Sequence, residues 1–202
     1  MAVMTTAGLL LAAGAGRRMG TPKALVRPDP AGPTLLETTL DRLLHAGIED
    51  VVVVLGAVVD PVLPVIEAAG ARAVVADDWQ EGMGASLRAG LAHLEAHAGP
   101  EVTGALVTLV DLPDVGTRVH RRVLGAARGL GPDRLLRAAY DGVPGHPVVL
   151  GREHWAAVAD TATGDRGARA HLAEHPPRLV ECGDLATGAD ADTPQDLGTR
   201  GG

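Results

Sequence analysis

Aromatic residues are nearly missing from this 202-residue chain, which has no phenylalanine, one tyrosine and two tryptophans. Its core must therefore be assembled from Val, Leu, Ile and Ala, a composition that suits buried parallel strands flanked by Ala-rich helices. Cysteine is as scarce. Cys182 stands alone, which excludes an internal disulfide and any cysteine-built zinc or iron–sulfur centre and fits a reducing, cytoplasmic compartment. It is expected to be a small buried or half-buried residue and not a nucleophile. Runs of like charge are absent and the formal net charge is −7, so neither nucleic acid nor an anionic membrane is an expected partner. Long apolar runs are missing too. The first residues, MAVMTTAGLLLAAGAG, have no basic residue before the apolar stretch and are broken by glycines, so they read as a first core strand and not as a signal or membrane segment. The most telling shortage is lysine, since Lys23 is the sole one among eighteen Lys and Arg residues.

What is present is a regular alternation. Apolar runs bounded by Gly, Pro and Asp lie at Ala7 to Ala12, Val51 to Leu55, Ala73 to Ala76 and Ala105 to Val110. Helical spacing falls between them, at Leu35 to Ala46 and Met83 to His97, and again at Gly116 to Arg128. Strand and helix in alternation give a Rossmann-like, three-layer α/β/α fold with a mostly parallel sheet. The second half predicts strands at Arg134 to Tyr140, Pro147 to Leu150 and Arg178 to Glu181, with helices near His154 to Asp160 and Gly167 to His175. One domain over 1–202 is expected, divided near Pro113 into a nucleotide-type half (1–112) and an acceptor-type half (113–202). In open α/β sheets, ligands collect beyond the carboxyl ends of the strands.

Directly after the first apolar run comes LAAGAGRRMGTPKAL. Gly14, Gly16 and Gly20 let this loop approach a ligand through backbone N–H groups, and Arg17, Arg18 and Lys23 surround it with positive charge, which suits phosphate. The spacing is not GxGxxG, and there is no GK[ST] ending, so neither a dinucleotide fingerprint nor a P-loop is indicated. Asp111 follows the apolar run at Ala105 to Val110 immediately, a position from which a carboxylate can hold Mg²⁺; Asp111 or Asp114 could equally cap the following helix. In GADADTPQDL, Asp190 or Asp192 can supply a second carboxylate, while Pro194 fits the first turn of a helix capped by Asp192 or Thr193. His93 and His97 have helical spacing but no accompanying carboxylate motif, and read as a solvated face.

LLAAGAGRRMGTPKAL resembles the signature loop of the MobA-like nucleotidyltransferases. EGMGASLRAGL, LVDLPDV, GVPGHPVVL, GDRGAR and DADTPQDL follow in the order found in molybdenum-cofactor cytidylyltransferases, so the similarity runs along nearly the whole chain. The resemblance implies a triphosphate loop of Ala12, Ala13, Gly14 and Gly16, with Arg18, Lys23 and Asp111 as catalytic residues. It implies Mg²⁺ held by Asp111 and Asp192. SLRAGL is also similar to the segment that contacts base and ribose in methylerythritol-phosphate cytidylyltransferases, which places Gly84, Ala85 and Ser86 at the nucleotide. Trp79 and Trp155 read as packing residues, although Trp79, just before EGMG, could border the base. Gly145, His146 and Pro147 would face a pterin-bearing acceptor.

The implied reaction moves CMP from CTP to the phosphate of molybdopterin, the molybdenum cofactor, and releases pyrophosphate. A transient contact with a molybdenum hydroxylase or its maturation factor would follow. Three positions depart from the common pattern: Gly16 stands where Ser is frequent, Leu112 where Gln is frequent and Ala85 where Ser is frequent. None removes a charge. LAAG instead of LAGG adds a methyl at Ala13, which would narrow the room for a purine and favour CTP over GTP. Use of GTP, transfer to a sugar phosphate or phospholactate, and a non-catalytic cofactor carrier remain the alternatives.

Overall fold

A computed structural model describes residues 5–198. Strand β1 spans Thr5–Leu11, β2 Val51–Leu55, β3 Arg72–Val75, β4 Val102–Leu109, β5 Leu135–Tyr140, β6 Val143–Gly151 and β7 Arg178–Glu181. They form one sheet in the order β3-β2-β1-β4-β6-β5-β7. β1 pairs in parallel with β2 and β4, β2 with β3, and β5 with β7, whereas β6 is antiparallel to both of its neighbours. Every residue of β2 is buried, as a strand covered on both faces requires.

The helices are α1 Leu35–His45, α2 Leu63–Ala68, α3 Met83–His97, α4 Thr117–Ala127, α5 Trp155–Thr161, α6 Arg169–Glu174 and α7 Pro194–Gly198. Leu36, Leu40 and Leu43 of α1, Ile66 of α2, and Val119 and Val123 of α4 pack on one face of the sheet against Leu10, Val53 and Leu106. Leu87, Leu91 and Leu94 of α3, Trp155 and Val158 of α5, and Leu172 of α6 pack on the other against Leu9, Val54 and Val107. Alternate residues of each strand thus feed opposite layers, and the expected three-layer α/β/α arrangement with a mostly parallel sheet is what forms.

Local chemistry sets the boundaries. Thr34 accepts a hydrogen bond from the Glu37 N–H (3.1 Å) while Glu37 accepts one from the Thr34 N–H (2.6 Å), a reciprocal cap that starts α1. α6 begins two residues later than its periodicity suggests, because Gly167 has a positive φ of 50° and ends the preceding 3-10 turn. β6 is longer than its apolar run, because Val143 and Pro144 continue the ladder with Tyr140 and Ala139 of β5. Among the described residues, no helix is long and apolar enough to cross a membrane.

Candidate active site

The carboxyl ends of β1 and β4 lie side by side, and the chain leaves both toward the same edge of the sheet. The Ala12 N–H donates to the Val54 carbonyl (2.9 Å) and the Ala57 N–H to the Ala13 carbonyl (3.1 Å), so the glycine-rich loop is anchored on the end of β2. Gly16 has a φ of 58°, and a Cβ there would collide with the Thr21 carbonyl. Only glycine allows the loop to fold back this tightly. The fold-back delivers Lys23 at the start of a 3-10 turn, Lys23–Leu25.

Lys23 lies between two carboxylates remote from it in sequence. Its Nζ donates to Asp111 Oδ2 at 2.5 Å and to Asp192 Oδ1 at 2.7 Å. Arg18 donates to the other oxygen, Asp192 Oδ2, at 2.5 Å. The DADT segment is pinned by the Ala191 N–H, which donates to the Asp111 carbonyl at 2.8 Å, and by the Ala191 methyl, which is fully buried. With Ala191 turned inward, its two acidic neighbours stay at the site. Asp111, Asp190 and Asp192 each place a carboxylate oxygen within 4.8 Å of the others.

The electrostatics follow from burial and pairing. Burial pushes the Asp111 carboxyl up, and the Lys23 ammonium offsets this only in part, while Asp190 adds repulsion. For Lys23, burial opposes the charge, but Asp111 and Asp192 outweigh it and hold the ammonium above its ordinary value. Asp192 is held down by the hydrogen bond from Lys23. Asp111 Oδ1 is buried without a hydrogen-bond partner. Such an oxygen beside two further carboxylates is the donor set of a hard divalent cation, so these residues fit Mg²⁺ or Mn²⁺.

The other expected site residues divide. Gly84, Ala85 and Ser86 open α3 but are buried; a Cβ on Gly84 would stand 2.8 Å from the Thr163 nitrogen. Ala13 is nearly buried, and a Cβ on Gly56 would meet both the Trp79 side chain and the Ala13 methyl. Trp79, half-buried, and Ala13 therefore pack together over Gly56 beside the glycine-rich loop. Asp192 does not cap α7. Asp196 accepts from the Asp192 N–H, the Thr193 N–H and the Thr193 hydroxyl. Asp114 likewise holds the Thr187 N–H and hydroxyl, at 2.7 and 2.6 Å.

His146 lines a separate cleft, with Leu11, Met83 and Val107 as apolar wall and Arg137, Arg166 and Arg169 as cationic groups beside the Asp165 carboxylate. Pro147, beside it, is buried, and Gly145 is half-buried. The Gly145 carbonyl accepts from Arg137 Nε at 2.9 Å, and the His146 carbonyl accepts from the Tyr140 hydroxyl at 2.6 Å. Burial, with Arg137 adding, pushes the His146 imidazole down to about 4, so it is neutral at physiological pH. Sequence reasoning names His146 but misses Arg137 and Arg169. Arg169 belongs to GDRGAR, whose two arginines were the available signal; Arg137 lies within a β-run and carries none. Cys182 is buried, as expected, and burial pushes its thiol up.

The model of the MobA-like NTP transferase domain matches residues 8–179. The chain is 39% identical over 202 residues to nicotine blue oxidoreductase of Paenarthrobacter nicotinovorans, covering 94% of this chain and 93% of that protein. It is 36% identical over 115 residues to a probable molybdenum cofactor guanylyltransferase of Rhodopirellula baltica, covering 54% of this chain and 49% of the relative. A crystal structure of a Mycobacterium tuberculosis H37Rv protein in complex with manganese superposes with a TM-score of 0.70 at 27% identity, covering 96% of each chain. With the domain matched across both halves of the sheet and a divalent cation present in a relative of this fold, the chain belongs to the MobA-like NTP transferase family of nucleotidyltransferases.

Proposed function

We propose that this protein transfers CMP from CTP to the phosphate of molybdopterin, with release of pyrophosphate. The observation that carries the reading is the meeting of Lys23 and Arg18 with Asp111 and Asp192, beside a glycine loop at the carboxyl edge of a parallel sheet. Asp111 and Asp192, with Asp190 adjacent, would hold Mg²⁺, which supplies charge neutralisation on the triphosphate. An oxygen of the acceptor phosphate forms the new bond to the α-phosphorus as the bond to the β-phosphate oxygen breaks, and the electron pair leaves with pyrophosphate. Lys23 and Arg18 stabilise the charge that spreads over the phosphoryl oxygens. A phosphate monoester is already anionic at neutral pH, so the step needs no general base.

The cleft at His146 would take the acceptor. Its apolar wall suits a flat heterocycle, and Arg137 and Arg169 suit its anionic groups. CTP is chosen over GTP on the resemblance of SLRAGL to cytidylyl enzymes and on the LAAG loop; the Rhodopirellula relative, named for guanylyl transfer, makes GTP the competing substrate. Residues 1–112 would serve mainly the nucleotide and 113–202 mainly the acceptor.

The identity to nicotine blue oxidoreductase over 94% of the chain favours a second reading, in which the same loop binds a nucleotide that takes part in a redox reaction. One experiment separates the two. CTP, GTP, ATP and UTP are supplied with Mg²⁺ and molybdenum cofactor while pyrophosphate is followed, and in parallel NADH and NADPH are supplied with nicotine blue while their absorbance is followed. Pyrophosphate release, fastest with CTP, is the expected result. Oxidation of a nicotinamide nucleotide without any pyrophosphate release would replace the transferase reading with the redox one.

A further inference from the structure

We propose that Lys23 is a tethered cation that shares its place with the divalent metal: it bridges Asp111 and Asp192 in the nucleotide-free protein and leaves them for the triphosphate when metal and nucleotide bind. This rests on the proposed metal and triphosphate sites and adds that one side chain couples the two.

The geometry is restrictive. The ammonium lies 2.5 Å from Asp111 Oδ2 and 2.7 Å from Asp192 Oδ1, and Arg18 engages Asp192 Oδ2. Of the four oxygens on these two carboxylates, Asp111 Oδ1 alone has no hydrogen-bond partner. Mg²⁺ binds carboxylate oxygen at about 2.1 Å. An ion bridging the two oxygens that Lys23 holds would therefore fall within the space of the ammonium, where repulsion between cations in a half-buried site is severe. Both oxygens of Asp192 are held by cations, so an ion that drew on Asp192 as well as Asp111 would displace one of them, and the ammonium that also holds Asp111 is the one in its way.

Residue type agrees with exchange. Every other basic side chain besides histidine is arginine, yet this position is the lone lysine. A guanidinium forks onto carboxylates in a fixed plane, whereas an ammonium is a point charge on a flexible four-carbon stem that can trade one set of oxygens for another. The phosphates of an incoming nucleotide offer Lys23 a new anionic partner just as the metal offers one to the carboxylates. By linkage, each then raises the affinity for the other.

The test is Mn²⁺ binding to the full-length, nucleotide-free protein, read by electron paramagnetic resonance. Lys23→Met and Lys23→Gln are expected to bind Mn²⁺ roughly tenfold more tightly than wild type or better, since removing the competing cation frees two carboxylates. Lys23→Arg should gain nothing. Binding by Lys23→Met and Lys23→Gln that is no tighter than wild type overturns the exchange. Should Lys23→Met lose stability because Asp111 is left unpaired, Mn²⁺ must raise its melting temperature more than that of wild type; an equal response also overturns it. Asp111→Asn keeps this failure distinct from failure of the underlying reading. If Asp111→Asn abolishes Mn²⁺ binding and wild type releases pyrophosphate, the transferase site stands even when exchange fails. If Asp111→Asn leaves Mn²⁺ binding unchanged, the metal site itself is wrong and the exchange falls with it.

Discussion

Two cations are set against opposite edges of the same sheet and are partnered in different ways. At the carboxyl edge, Lys23 is paired with two carboxylates, which leaves full charges close together and able to change partners. At the amino edge, Arg134 is buried with no carboxylate in its hydrogen bonds. It donates instead to the hydroxyls of Thr6 and Thr103 (2.9 and 3.0 Å) and to the carbonyls of Leu130 and Gly131 (3.4 and 2.9 Å). Its guanidinium crosses β4 at Gly104, where a Cβ would come within 2.6 Å of it. Neutral dipoles fixed in β1, β4 and the loop before β5 cannot follow a departing charge. The arginine therefore acts as a staple, and the lysine as a part that can move.

This contrast requires that damage at the two edges be read by different instruments. The largest effect is expected from Asp111→Asn, which should lower kcat on the order of a hundredfold or more, comparable to loss of a key electrostatic group. Its melting temperature should hardly change. Burial already disfavours the Asp111 charge, and an amide of the same shape can still accept a hydrogen bond from Lys23. Global unfolding of the variant would make Asp111 a structural residue and erase the distinction.

Arg134→Met should do the reverse. Two hydroxyls and two carbonyls lose a common donor in a buried setting, which should cost about 3 kcal/mol, measured by urea denaturation. Activity at a temperature where the variant is folded should stay near wild type. A loss of turnover without a loss of stability would show that the amino edge communicates with the site.

The parts of this architecture that the sequence makes legible are those carried by local periodicity and punctuation. The run from Ala7 to Ala12 and the all-valine start of β2 announce buried strands, and the loop glycines with Lys23 announce an anion site. α2 is less visible, because Pro61 and Pro64 interrupt its pattern; the proline near its first turn is one of the few places where a helix accepts it. At the site, each acidic motif can be read on its own, yet the contact of Lys23 with Asp192 joins residues 169 apart. No local pattern encodes such a meeting. Arg134 and Arg137 are hidden for another reason: in sequence a buried arginine looks like any of the sixteen or so others, and only the neighbouring carbonyls distinguish it.

Histidine extends the comparison to pH. His120 on α4 is buried with neither ring nitrogen bonded, and burial, with Arg42 adding, pushes its imidazole down from 6.5 to about 4. Below pH 6.5 the unfolded chain takes up a proton that the folded one resists, so stability falls as pH drops toward 4. His120→Leu should remove about 2 kcal/mol of the stability lost between pH 7 and 5, measured by denaturation at both values. Activity at pH 7 should be unchanged. An identical acid dependence in the variant would mean that water reaches the ring.

The smallest effect divides two aspartates four residues apart. Asp196 gathers two backbone N–H groups and the Thr193 hydroxyl at the start of α7, a capping role whose loss costs about 1 kcal/mol. Asp192 spends its side chain on Lys23 and Arg18 instead, and its half-exposed position means that these pairs contribute little net stability in water. Asp196→Ala should therefore lower the melting temperature by a few degrees and leave KM for the nucleotide close to wild type. Asp192→Ala should leave the melting temperature nearly unchanged and lower turnover, with a steeper dependence on Mg²⁺ concentration because one carboxylate of the proposed metal set is gone. The Mg²⁺ dependence is the decisive readout, since a purely structural Asp192 would not move it. If both variants lost stability equally and neither altered the Mg²⁺ dependence, the DADT segment would be a clamp on the end of β4, and the carboxyl edge would be held together in the same static way as the amino edge.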